Sequence, residues 1–236
     1  MTELDEPIRA VADDRSLRPR PSASTVLGAA ALLLAPIAGS IGGALELLAI
    51  GSADPASDPS AFLGAVESAS GLWTGMGIAM LAMALLTMAW TPAVWRLAHG
   101  RSRRWAWAAA SAGALFAFGQ AVHLVSWVAL TSALASAVDA DDALRLIAAL
   151  ESSPIFMTIF APYLLGALLA PPIAAVALWR SRQLPVWSIP IITVASVAML
   201  LLGTSSPLVL IGYPLLWIAA FAPALGRLLG RSDSRA

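Results

Sequence analysis

The chain has 236 residues, 59% of them hydrophobic and 12% charged, and its 14 basic and 14 acidic residues cancel. Soluble domains carry about 25% charged and roughly 45–50% apolar residues, so an ordinary water-soluble fold is excluded. A mean hydropathy of +0.80 excludes a disordered chain. Without cysteine there is no disulfide framework, thiolate metal site or thiol nucleophile, and with no basic excess nothing points to nucleic acid.

Residues 1–23 are polar, with five acids, four Arg and three Pro, and read as a disordered cytoplasmic tail. A helix crossing the roughly 30 Å hydrocarbon layer needs about 20 apolar residues. Such stretches lie at 24–50, 71–95, 105–134, 155–179, 187–204 and 207–227. The first has an acidic approach and a long apolar run, so it reads as an uncleaved span; a signal peptide has a basic start and a short core. The stretch 187–227 would make roughly 60 Å of helix, twice a bilayer, so it breaks at Ser205-Ser206-Pro207 into two antiparallel helices. The expectation is an all-α, polytopic bundle of six transmembrane helices over 24–229, followed by a short tail at 230–236.

The loops at 51–70 and 135–154 are acidic, carrying Asp54, Asp58 and Glu67, then Asp139, Asp141, Asp142 and Glu151. Each predicts a short helix. Asp58 supplies an N-cap and Pro59 a first helical residue, with Phe62, Leu63 and Val66 turned inward. Asp141 or Asp142 caps a second turn bearing Leu144, Ile147 and Leu150. The Asp cluster lacks the spacing of a calcium loop.

All basic residues are Arg, and six spans with the N-terminus inside place 13 of the 14 in the cytoplasm, leaving Arg145 outside. By the positive-inside rule both termini are then cytoplasmic. The Arg-only, Ala-rich composition suggests a bacterial cytoplasmic membrane. Trp90, Trp95, Trp105, Trp107, Trp179 and Trp187 fall at inner ends and Trp73 and Trp127 toward outer ends, where indole rings favour the headgroup boundary.

A shift of 84 residues aligns Asp58 with Asp142, Glu67-Ser68 with Glu151-Ser152, Thr74 with Thr158, and Trp95-Arg96 with Trp179-Arg180. In all it gives 10 identities over the 39 positions 58–96. Pro92 to Leu97 is also echoed by Pro223 to Leu228. The chain can thus be read as three tandem helical hairpins, an arrangement frequent in transporters; biased composition is the competing explanation. Small residues four apart (Gly39 and Gly43, Gly71 and Gly75) suit close helix packing. Pro36, Pro162, Pro171, Pro172, Pro190 and Pro214 fall inside spans, where each removes a backbone donor.

Ionisable groups in hydrocarbon are costly and point to function. Two occur here: Glu46 in the first span and His123 in the third, with Gln120 one turn before His123. Thr74, Thr158, Tyr163 and Tyr213 map to the same outer level. The expectation is an outward-opening polar cavity formed by Glu46, Thr74, Gln120, His123, Thr158 and Tyr163. In it Glu46 and His123 form a pH-sensitive pair, since imidazole titrates near neutrality. The competing expectation leaves Glu46 at the water interface and His123 neutral, bonded to a carbonyl or to Gln120. Haem is not expected, because the second His, His99, sits in an inner loop. No cofactor or metal is expected, and no metalloprotease helix, nucleophile elbow or phosphate-cradling glycine loop is present.

The stretch Leu165 to Pro185, with Ala177-Leu178-Trp179-Arg180-Ser181-Arg182 followed by Leu184-Pro185, resembles a signature of small actinobacterial six-helix membrane proteins of unknown function. The resemblance implies a six-helix layout and carries no activity. Two functions remain open: a small transporter or channel-like protein with an outer polar cavity, or a non-catalytic accessory, sensory or assembly subunit. The partners expected are the lipid bilayer and, through helix faces, a second copy or another membrane protein.

Overall fold

The computed structural model describes residues 23–51, 53, 55, 58–137, 139–203 and 206–228. Beyond Ala23, which opens the first helix, the tails expected at 1–23 and 230–236 lie outside the described residues, as does Asp54. Among the described residues every regular element is helical: α1 (Ala23–Ile50), α2 (Pro59–Ser68), α3 (Ser70–His99), α4 (Arg103–Gly119), a π turn (Gln120–Leu124), α5 (Val125–Ala137), α6 (Ala140–Glu151), α7 (Pro154–Arg180), α8 (Ser188–Leu202) and α9 (Pro207–Leu228). The chain is an all-α bundle of the multi-pass membrane type.

Five segments are long and apolar enough to cross a bilayer: Leu27–Ile50, Ser70–His99, Arg103–Ser136, Phe156–Arg180 and Pro207–Gly226. The remaining expected span, 187–204, is shorter than foreseen. Its helix α8 has 15 residues, or about 22 Å. It stops at Gly203, whose φ of +55° is open to glycine at little steric cost.

α1 packs along α3 and α4 along α7, while α8 and α9 extend the bundle from α7 and α9 returns to α1. The α4–α7 crossing is close because a Cβ on Gly119 would fall 2.5 Å from the Tyr163 backbone nitrogen, and one on Gly166 would strike the backbone of Phe116. Gly39 faces the Met83 sulfur in the same way, whereas Gly71, expected as a packing device, has nothing within 4 Å of its place for a Cβ.

The Arg-rich end of the bundle is solid. Trp90, Trp217 and Phe221 interlock with alanines of α1, α3, α4, α7 and α9, and the Trp90 and Trp217 rings meet edge to face at 6.1 Å. One bond explains how this core tolerates a proline. Pro36 cannot donate to the Leu32 carbonyl one turn earlier; Trp217 Nε1 donates to it instead, at 2.8 Å.

The opposite end is capped by α2 and α6. Asp58 accepts from the Ala61 amide at 3.0 Å, and Phe62, Leu63 and Val66 are buried against Trp73 and neighbouring apolar residues. Trp73 Nε1 donates to Thr131 Oγ1 at 2.9 Å, tying α3 to α5. For α6 the cap differs from expectation. Asp139, not Asp141 or Asp142, opens the helix and accepts from the Asp141 amide at 3.1 Å. Asp142 instead pairs with Arg145 at 3.8 Å on the exposed side. The helical layout follows the 84-residue shift at α3 and α7, which begin at Ser70 and Pro154, but slips at α2 and α6, which begin at Pro59 and Ala140.

Candidate functional site

Between the solid end and the cap lies a partly enclosed cavity of about 280 Å³. Its polar wall is assembled from five elements: Glu46 of α1, Gln120 of the π turn, Tyr163 of α7, Ser196 of α8 and Tyr213 of α9. The rest of the wall is soft and apolar, with Met76, Met80 and Met83 from α3, Met199 from α8, and the rings of Phe116 and Trp127. Gly39 lines its deep part. Eleven residues separate Gly39 from the end of α1, about 16 Å along the helix axis, so the cavity reaches the middle of the bundle.

Local backbone features cluster here. The helix from Arg103 widens into a π turn at Gln120–Leu124, a rare device that is frequent at functional sites. Pro162, one residue before Tyr163, frees a carbonyl on the facing helix. α8 is short, so its terminal Gly203 lines the wall.

Gln120 is 2% exposed. Its Nε2 donates to the Met83 sulfur at 2.7 Å, and its Oε1 has no partner among the described residues. The reverse amide orientation would set an oxygen against the sulfur lone pairs. Ser196 is 3% exposed, and its Oγ is likewise unpartnered among the described residues. That contrasts with Thr87, Thr91, Ser132 and Thr193, whose hydroxyls each donate to the carbonyl four residues back. Ser40 and Ser188 Oγ, Trp90 and Trp95 Nε1 and His99 Nδ1 are also unpartnered among the described residues but do not line the cavity. Buried polar atoms normally find partners, so two bare ones on one cavity wall mark it out. The Glu46 carboxylate lies within electrostatic reach of the Tyr163 hydroxyl, and that hydroxyl within reach of Tyr213.

Of the residues expected to share a site, Glu46, Gln120 and Tyr163 come together, joined by Tyr213. Thr74 and Thr158 do not. Both are exposed on the outer surface of their helices, and Thr158 donates to the Pro154 carbonyl at 2.8 Å. Thr74 shares its face with Ile78, Leu81 and Leu85, Thr158 with Leu165 and Leu169, all exposed. Several repeat-matched positions thus form a lipid-facing stripe on α3 and α7. His123 belongs to the π turn; its side chain, and with it the expected pairing with Glu46, lies outside the described residues. Ser196 was not foreseen. The signal available was its register: it follows Ile192 by one turn on the inward face of α8. Among the described residues no three His, Asp or Glu gather as a metal would require.

Comparison of the chain with protein-family models, curated proteins and solved structures returns no match.

Proposed function

We propose that the protein is a small transporter or channel-like protein of a bacterial cytoplasmic membrane. In this reading the Arg-rich end and both termini are cytoplasmic and the cavity opens outward. The observation that carries it is the pair of unpartnered buried polar atoms, Gln120 Oε1 and Ser196 Oγ, on the wall of a cavity built by every membrane-length helix and α8. Unsatisfied buried groups cost about 1–3 kcal/mol each, an outlay a packing role does not require. An assembly subunit acting only through helix faces calls for a filled bundle, which the cavity disfavours. The skew of Arg supports the orientation.

The chain contains no cysteine, so single cysteines report cleanly. In right-side-out vesicles Ser196→Cys should react with a membrane-impermeant maleimide, while Ile192→Cys, 0% exposed in the solid half, should not. Reaction of Ser196→Cys only in inverted vesicles, or in neither, would refute the outward cavity. Purified protein in liposomes should then pass solute in a way that Ser196→Cys labelling blocks.

A further inference from the structure

We infer that the cavity accepts a protonated primary amine with a small apolar body, a monocationic alkyl- or arylammonium. This rests on the transport-cavity reading above and names its substrate class.

Charge comes first. Among the described residues lining the cavity, Glu46 alone carries a formal charge, and no Arg lines it. In surroundings of low dielectric a carboxylate favours a cationic neighbour and disfavours an anion.

Hydrogen-bond polarity narrows the choice. Gln120 turns its amide nitrogen to the Met83 sulfur, which leaves its carbonyl oxygen as an acceptor with no partner among the described residues. Ser196 adds a hydroxyl and Glu46 a carboxylate. A –NH₃⁺ group offers three donors and no acceptor, the complement of this set. A quaternary ammonium has the charge but no N–H, and would leave Gln120 Oε1 bare.

The remaining wall fixes the body of the ligand. Four thioethers and the stacked rings of Phe116 and Tyr163, 6.4 Å apart, offer adaptable apolar contact and π faces for a cation. At about 280 Å³ the space lies at the small end of ligand pockets, which suits a single ring or a short chain.

The test uses the full chain, purified in detergent, with binding measured by calorimetry. The probes are 2-phenylethylammonium, its N,N,N-trimethyl analogue, 2-phenylethanol and phenylacetate. The primary ammonium should bind at least about tenfold more tightly than each of the others. Glu46→Gln should weaken it by about tenfold or more. Gln120→Leu should erase the preference over the trimethyl analogue while leaving that analogue's own affinity nearly unchanged. Unaltered thermal unfolding of both variants separates lost binding from lost fold.

Equal affinity for the alcohol, tighter binding of phenylacetate, or an indifferent Glu46→Gln would each overturn the proposal; a trimethyl analogue that binds as well as the primary amine would overturn its hydrogen-bond half. The two readings fail separately. If Ser196→Cys is labelled from outside but no ammonium binds, the substrate class falls and the cavity stands. If the ammonium binds but does not cross liposomes, transport falls and the amine site stands.

Discussion

Tyr213 and Trp217 stand one turn apart on α9, yet their surroundings differ in kind. Trp217 is 1% exposed, touches Trp90 and Phe221, and donates its N–H to a carbonyl that Pro36 leaves free. Tyr213 lines a cavity whose other polar members include two atoms without partners. Toward the Arg-rich end small alanines let helices close on large rings, and the carbonyl that Pro36 frees finds an indole donor. Toward the other end methionines replace alanines, one helix widens into a π turn and another stops short. Close packing fixes relative helix positions, while Met-rich walls adapt to what they hold. The bundle therefore has a rigid base and an adaptable cup within the same helices.

The widest gap between the halves should appear on truncation. Trp217→Ala should cost about 3–5 kcal/mol, because a large side chain leaves a close-packed site. Met199→Ala should cost less than about 2 kcal/mol, since Met199 already borders open space and has fewer packing contacts to lose. Reversible unfolding in bicelles measures both. Equal losses would remove the distinction between base and cup.

A finer break concerns the proline. Trp217→Phe keeps most of the ring packing but strands the Leu32 carbonyl, for an expected cost of about 1–3 kcal/mol. Adding Pro36→Ala should restore much of that, because the new amide can donate to the same oxygen. A double-mutant cycle over the two positions should return a coupling free energy well clear of zero; additive losses would show that the bond contributes nothing.

In the cup the sign should reverse. Ser196→Val removes an unpartnered hydroxyl and adds apolar volume beside a cavity, so stability should rise by about 1 kcal/mol. Ammonium binding should fall in the same variant. That combination is the trade between stability and function expected of a binding site, and a loss of stability would place Ser196 in a filled core.

The large features were legible in the sequence because hydropathy and charge act over whole helices. The apolar runs located every long helix to within a few residues. Asp58-Pro59 marked the start of α2 because a cap is a local signal. Glu46, Gln120 and Tyr163 could be gathered at one depth by counting along their helices. Depth is not direction, however. Thr74 and Thr158 sit at the right level on the wrong face, and the face was readable from Leu81, Leu85, Leu165 and Leu169, which keep the same helical phase. The link from Trp217 to Leu32 was beyond reach because it joins residues 185 apart. The π turn left no mark in an apolar run that stays continuous through it.

The smallest effect tests the base alone. At the end of α7 the Gln183 amide donates to the Leu178 carbonyl at 2.7 Å and the Arg182 amide to the Trp179 carbonyl at 2.8 Å, the two bonds of a Schellman cap. This motif puts its residue after the cap in the left-handed region, and Arg182 has φ +61°. A side chain there costs about 1–2 kcal/mol that glycine does not incur, partly offset by glycine's greater freedom in the unfolded chain. Arg182→Gly should therefore stabilise the bundle by about 0.5 kcal/mol. It should leave ammonium affinity untouched, because this turn adjoins the rigid base at the end remote from the cup. A change in affinity with no change in unfolding would mean that the base transmits strain to the cavity and that the two halves are not independent.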